Sequence, residues 1–212
     1  MDQDPKLAEK ITADIVSRLE RSKTAIPVGV SNRHVHLCQE DWDTLFGKGT
    51  EPRKFRQVKQ PGFYACHEAV HIEGPKGRVD NIRLIAPHRP GTQVEISQTD
   101  AQILGLKPPI RDSGKLDGSP GVRVVGPKGT LEIKQGLIIA RRHIHAHPLE
   151  AQAMGLKDGE IVRVRAGIGG LRELVYEQVL VRVSDKFSLE LHVDTDEANA
   201  AWIRSGDNVN IV

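Results

Sequence analysis

Residues 28–37 read VGVSNRHVHL, and residues 137–148 read LIIARRHIHAHP. Each stretch leads through apolar, largely β-branched positions into R-H-x-H: Arg33, His34 and His36 in the first, Arg142, His143 and His145 in the second. A β-branched run predicts a strand. Side chains on a strand alternate between faces, so the two histidines of each motif share one face while Val35 and Ile144 point the other way, toward apolar packing. Two imidazoles placed in this way stand roughly 7 Å apart at Cα and can converge on one metal ion. Zinc favours that donor type, with Zn–N distances of about 2.0–2.1 Å. A single H-x-H strand is often no more than two half-exposed histidines, and it is the second copy that gives the metal reading its weight.

The surroundings of the two motifs also repeat. RHVHLCQEDWDTLFG leads to QVEISQTDAQILGL, and RHIHAHPLEAQAMGL leads to LELHVDTDEANAAWI. Each half runs from the R-H-x-H strand through a short helix and further strands to a segment ending in Thr-Asp. Such internal self-similarity predicts a duplicated supersecondary unit. His192 falls on the duplicate of the strand that carries Glu95, so both become candidate ligands. Short helices are expected at CQEDWDTLFG and HPLEAQAMGL. GPKG occurs at 74–77 and again at 126–129, each copy between alternating apolar runs, as a hairpin turn would. The fold class expected is mostly β: two duplicated small β-barrel subdomains with short helices, related by a pseudo-two-fold, because closure removes exposed sheet edges. Residues 26–135 would form the first barrel and 136–212 the second.

Ahead of the first motif, PKLAEKITADIVSRLER (5–21) places Leu7, Ile11, Ile15 and Leu19 four apart, with Val16 beside them. That is one apolar stripe on an amphipathic helix, and Pro5 suits its first turn. Residues 1–25 therefore read as a helix plus linker. The stripe has two readings, an address for a partner surface or a face docked on the protein itself.

Bulk properties narrow the function classes. A net charge of +2 gives no electrostatic footprint for nucleic acid, though a local patch could still hold a phosphorylated small ligand. Aromatic residues make up 4%, too few for base-stacking platforms. No run of about 18 apolar residues predicts a membrane span. The N-terminus lacks a signal-peptide pattern, and the two cysteines, Cys38 and Cys66, do not make a disulfide framework. The expectation is a reducing, cytoplasmic setting. Cys38, two residues beyond His36, could be a thiolate ligand or nucleophile, against the plainer reading of a helix-entry residue. Arg83 and Arg89 flank a strand end near Glu95 and could clamp an anion, since a guanidinium fork matches phosphate oxygens. Either could equally be a surface ion-pair partner.

With these residues in view, IPVGVSNRHVHL, QPGFYACHEAV, IEGPKGRVDNIRLIAPHRPGTQVEISQTDAQILGL, PPIRDSGKLDGSPGV, RRHIHAHP and LELHVDTDEANAA together resemble the PduL-type phosphate propanoyltransferases, from about Ile26 to Val212. The resemblance implies a phosphotransacylase that interconverts a short-chain acyl-CoA (propanoyl or acetyl) plus phosphate with acyl phosphate plus CoA. It implies two β-barrels and two zinc ions. His34, His36 and Glu95 would hold one zinc, with the CoA sulfur completing its shell. His143, His145 and His192 would hold the other, with positions open to water or substrate. Arg89 matches the phosphate-binding arginine, and Ser31, Arg83, His192 and Asn199 match positions concerned with CoA. The same resemblance implies a homodimer, propanediol degradation, and a place inside a bacterial microcompartment, with the N-terminal helix directed at shell proteins. His67, Arg141 and His147 depart from the usual family residues and bear on acyl-chain preference. Two rivals stand beside this reading: a binuclear metal-dependent hydrolase of a CoA thioester or related ester, and a metal-stabilised β-scaffold without catalysis.

Overall fold

The structure, a computed structural model, describes residues 5–212. Helix α1 spans Pro5–Lys23 and is followed by strand β1, Ile26–Ser31. The first motif forms β2, His34–His36, and the helix after it is α2, Gln39–Phe46. Then come β3 (Lys54–Gln57), β4 (Tyr64–Glu73), β5 (Arg78–Ala86), β6 (Gln93–Glu95) and α3 (Gln98–Leu104). Strands β7 (Ile110–Arg111), β8 (Val122–Val125), β9 (Thr130–Ile133) and β10 (Leu137–Ala140) complete the first half. The second motif forms β11, His143–Ala146, followed by α4 (Pro148–Ala153), β12 (Ile161–Ala166), β13 (Leu174–Val183), β14 (Glu190–Asp194), α5 (Thr195–Ala201) and β15 (Asn208–Ile211).

The chain divides into two units. One holds residues 31–141 with 194–196. Its sheet runs β7-β10-β6-β2-β5-β4-β8-β9, with β3 paired to β4. The other holds residues up to 30, 142–193 and 197–212, and closes into a barrel in the order β1-β14-β11-β13-β12-β15. The protein is thus mostly β, as expected, but only one of the two expected barrels closes. In the other unit the sheet path ends on β7 and β9, which are not paired to each other. Strand β1 completes the closed barrel by pairing Ile26 with Val209, although more than a hundred residues separate it from the next strand of that barrel.

Each unit encloses its own core. In the barrel, Ile26, Ile144, Val164, Val179, Val181, Leu191 and Val209 are fully buried. In the open sheet, Val35, Leu45, Ile72, Ile82, Val94, Leu104, Val124 and Leu137 are fully buried. Val35 and Ile144 thus occupy the positions that the H-x-H alternation assigns them. Each contributes about 1.5–3 kcal/mol by burial relative to exposure.

The central three strands show the duplication directly. In one unit β2 pairs parallel with β5 and antiparallel with β6. In the other β11 pairs parallel with β13 and antiparallel with β14. Each returning strand, β6 or β14, leads into a seven-residue helix. Those helices, α3 and α5, were not expected from the sequence. For α3 the local cause is clear: Ser97 caps it, accepting from the Asp100 amide while the Asp100 carboxylate accepts from the Ser97 amide.

Both GPKG segments are hairpin turns, closed by Gly74 N to Gly77 O and Gly126 N to Gly129 O, each 2.9 Å. Each turn also seals the end of a helix. Lys76 N donates to Leu104 O at the end of α3, and Lys128 N donates to Leu45 O near the end of α2, both at 3.0 Å. The glycines make that approach feasible. A Cβ on Gly74 would stand 2.3 Å from Leu104 O, and one on Gly126 would stand 2.7 Å from Leu45 O.

Helix α1 is tied at its C-terminal end to the barrel unit. Arg21 Nη1 bonds Glu160 Oε1 at 2.9 Å, and Asn210 Nδ2 donates to Thr24 O at 3.0 Å. Its apolar stripe, Leu7, Ile11, Ile15, Val16 and Leu19, is 51–56% exposed and so is not part of the barrel core. Among the described residues, no helix is long and apolar enough to cross a membrane.

Candidate metal centres and anion site

In the open-sheet unit, strand pairing sets His34 opposite Glu95 and His36 opposite Gln93. Period two then puts His34, His36, Glu95 and Gln93 on one face. His34, His36 and Glu95 each bring one ligand atom within 4.8 Å of the others. His34 Nε2 lies 3.6 Å from Glu95 Oε2, and the His34 and His36 rings stand edge to face at 4.9 Å. His34 Nδ1 is placed by the backbone carbonyl of Asn32 at 2.9 Å. His36 is buried, and its Nδ1 has no hydrogen-bond partner. Burial, then the neighbouring His34 and Arg89, hold its pKa well below the ordinary histidine value. A neutral imidazole with an orphaned nitrogen is the form a metal takes as ligand.

In the barrel unit, the same pairing sets His143 opposite His192 and His145 opposite Glu190. His143, His145 and His192 bring ligand atoms within 4.8 Å of one another. Their ring centroids are 4.6–4.9 Å apart. Burial, then His143, His192 and Arg182, lower the pKa of His145 to about 2. Neither nitrogen of His145 has a hydrogen-bond partner. Buried polar nitrogens are rarely left in this state without a reason. Neutral donors, orphaned atoms and convergence all fit a divalent ion in each group, and imidazole donors suit zinc.

Register fixes which residues of the two copies correspond. Matching letters align Glu95 with Glu190, since each precedes Ile or Leu. Pairing instead makes Glu95 the counterpart of His192, and Gln93 the counterpart of Glu190. The arginines of R-H-x-H follow the same register. Arg33 makes a two-pronged pair with buried Asp100, both contacts 2.9 Å, five residues after Glu95. Arg142 Nη1 bonds Glu197 Oε1 at 2.7 Å, five residues after His192. These arginines tie each motif to the helix beyond the third residue of its candidate group.

Arg89 follows β5, in a loop fixed by Arg89 N donating to Leu37 O at 2.9 Å. Its Nη1 donates to Ser113 Oγ at 3.2 Å, and its guanidinium lies 5.8 Å from the Phe63 ring centroid. Ser113 Oγ donates to Glu95 Oε1 at 3.0 Å. The Gln93 amide also donates to Glu95 Oε1, and to Ser113 Oγ at 2.8 Å, while its oxygen accepts from Gly114 N at 2.9 Å. A cationic group is thereby held next to the carboxylate of the His34/His36 group.

The remaining sequence-derived residues fall as follows. Arg83 lies on β5 in register with His34; its Nη1 donates to Cys66 O at 2.8 Å, and it stacks 4.4 Å from the Phe55 ring. Ser31 ends β1 and is half-buried, and Asn199 is exposed on α5. Cys38 enters α2 with its thiol beside the Thr92 hydroxyl, which is itself bonded to Asp41. It is not in either ligand group. Burial, then Glu68, raise the Cys66 pKa to about 11, which keeps it a thiol.

Ser113, Gln93 and Glu190 escaped the sequence reading. Period two from Glu95 and from His192 points to Gln93 and Glu190, so that signal was present. Ser113 sits in a loop, where nothing local reveals its partner. Phe63 at 6.5 Å from His36 and Phe187 stacked at 3.9 Å on His145 were missed for the same reason.

Fold and site together define a β-rich protein with a histidine-lined candidate metal centre on each copy of a duplicated strand unit. Comparison with known proteins narrows this class. The phosphate propanoyltransferase family matches residues 27–204. A phosphate propanoyltransferase of Thermotoga maritima is 53% identical over 197 residues, covering 93% of both chains. One of Lachnoclostridium phytofermentans is 45% identical over 214 residues, covering 100% of this chain and 99% of its own. One of Citrobacter freundii is 47% identical over 182 residues, covering 86% of each. The chain belongs to the phosphate propanoyltransferase family of acyltransferases.

Proposed function

We propose that this protein exchanges the CoA thiolate of a short-chain acyl-CoA, propanoyl or acetyl, for inorganic phosphate, and runs the reverse exchange. The observation that carries this reading is Arg89, held through Ser113 to Glu95 in a chain whose family match spans residues 27–204. His34, His36 and Glu95 would hold one zinc ion, and His143, His145 and His192 another. When bound, zinc supplies Lewis-acid polarisation of the thioester carbonyl and stabilises the departing thiolate.

The chain's own groups supply the rest. Phosphate is already nucleophilic near neutral pH, so no activated serine or cysteine is required. Arg89 binds and orients the phosphate dianion. A phosphate oxygen attacks the carbonyl carbon, the carbon–sulfur bond breaks, and CoA leaves as its thiolate. Holding the reactants in order contributes several kcal/mol toward the barrier. Ser113 fixes the distance between the guanidinium and Glu95, and Phe63 covers the guanidinium's apolar face. Direct attack is favoured over an acyl-enzyme, because the thiol of Cys38 contacts Thr92 rather than a base and Cys66 is buried and held as a thiol. Ser31, Arg83, His192 and Asn199 are assigned to CoA, and a homodimer is part of the same reading.

The exposed stripe of α1 supports a role as an address to shell proteins of a bacterial microcompartment in the cytoplasm, consistent with propanediol degradation. The chain is tied at the C-terminal end of the helix through Arg21 and Thr24, and Leu7, Ile11, Ile15 and Leu19 are exposed to a partner.

A thiol-release assay with propanoyl-CoA and acetyl-CoA, with and without phosphate, tests the reaction. Phosphate-dependent release supports the transferase. Phosphate-independent release would establish the hydrolase instead, and no release would leave a metal-stabilised scaffold.

A further inference from the structure

Resting on the metal reading above, the geometry points to Glu190 as the residue that positions His192 in the second metal centre, with Gly29 supplying the space for its carboxylate. Glu190 is buried on β14, two residues before His192 and on the same face. Its Oε2 stands 3.1 Å from His192 Nε2, at ion-pair distance but off the hydrogen-bond line. It is not among the three residues whose ligand atoms converge. An imidazole that ligates through one nitrogen commonly gives its other N–H to a carboxylate, which sets its tautomer and orientation. Glu190 is the carboxylate beside His192 in that role.

The counterpart in the other unit supports the assignment. There the same position is Gln93, and its amide donates to Glu95. The two holders are opposite in hydrogen-bonding type because the two ligands are opposite. An anionic carboxylate needs a donor beside it, and an imidazole N–H needs an acceptor. A duplicated frame has thus been fitted twice, with ligand and holder changed together.

Gly29 explains how the carboxylate is accommodated. It lies on β1, which neighbours β14 in the barrel. A Cβ at Gly29 would stand 2.7 Å from Glu190 Cδ, 2.8 Å from Oε1 and 3.1 Å from Cγ. Side-chain atoms can move, so Gly29→Ala should displace the carboxylate while leaving the barrel backbone in place.

The test is zinc affinity by competition with a chromophoric chelator, in a His34→Ala background that leaves one site to fill. Glu190→Ala should weaken binding about 10–100-fold while still reaching one equivalent at saturation. Glu190→Gln, which retains an acceptor oxygen, should recover part of that loss. Gly29→Ala should weaken binding as well, with the melting temperature of its metal-free form unchanged. Unaltered affinity in both Glu190→Ala and Gly29→Ala would overturn the assignment. Loss of stoichiometric binding in Glu190→Ala would also overturn it, making Glu190 a ligand. No binding by the His34→Ala parent itself would instead remove the metal reading on which the inference rests.

Discussion

Arg89 Nη1 lies 3.2 Å from the Ser113 hydroxyl, and the same hydroxyl donates to Glu95 Oε1 at 3.0 Å. One side chain therefore sets the spacing between the proposed phosphate-binding cation and a proposed metal ligand. Arg89→Lys keeps the charge but loses the planar fork. It is expected to raise the KM for phosphate on the order of tenfold, as for a lost hydrogen bond to a charged group, with little change for acyl-CoA. Ser113→Ala is expected to reduce kcat/KM about two- to tenfold. Steady-state kinetics with each substrate varied separately decide it, and ordinary phosphate dependence in Arg89→Lys removes the assignment.

Each histidine group should hold its own ion. His34→Ala and His143→Ala are each expected to lose close to one equivalent of zinc, measured by elemental analysis after desalting. Two equivalents retained in either variant contradicts separate sites.

The metal-free protein should be acid-sensitive. His36 and His145 are neutral in the folded chain, the latter with a pKa of about 2, whereas unfolding restores ordinary histidine values near 6.5. Below that value the unfolded state binds more protons than the folded state, so their contribution is present above pH 6.5 and is lost as pH falls toward the folded values. The slope is at most about 1.4 kcal/mol per pH unit for each group. Urea unfolding at pH 7.5 and 5.5 should show the drop, and equal stability at both would refute it.

The GPKG turns are close-approach contacts as well as hairpins. Gly74→Ala places a methyl 2.3 Å from Leu104 O, a backbone atom that cannot move without shifting α3. Overpacking of this kind costs about 1–3 kcal/mol. At roughly 2–4 °C per kcal/mol for a chain of this size, thermal unfolding should begin several degrees lower. An unchanged melting curve would mean that the turn and helix separate freely.

Removing residues 1–20 spares Arg21 and its bond to Glu160. If the exposed stripe serves an external partner, the truncated chain should melt within about 2 °C of the full chain, less than 1 kcal/mol of stability, and lose co-localisation with shell proteins. Docking of five aliphatic side chains on the protein itself would contribute several kcal/mol instead. A fall of more than about 10 °C would show that the helix belongs to the fold.

The sequence by itself determined whatever depends on neighbours along the chain. Period two at His34-Val35-His36 and His143-Ile144-His145 gave the paired imidazoles and the buried residue between them. Spacing by four gave α1, and Gly-Pro-Lys-Gly gave two hairpins. The repeated motif gave the duplication. What only the tertiary structure decided is which distant strand lies beside each motif, and in which register. A slip by one residue would turn Glu95 away from His34, and a shift by two would replace it with Gln93. Backbone pairing and burial select that register across some sixty residues in one unit and about fifty in the other, and no local pattern encodes it. The same non-local pairing recruits β1 into the barrel, leaves the other sheet open, and brings the Ser113 loop between Arg89 and Glu95. Hydrogen-bond partners and packed faces are properties of the folded surface, so these relationships exist only once the strands have met.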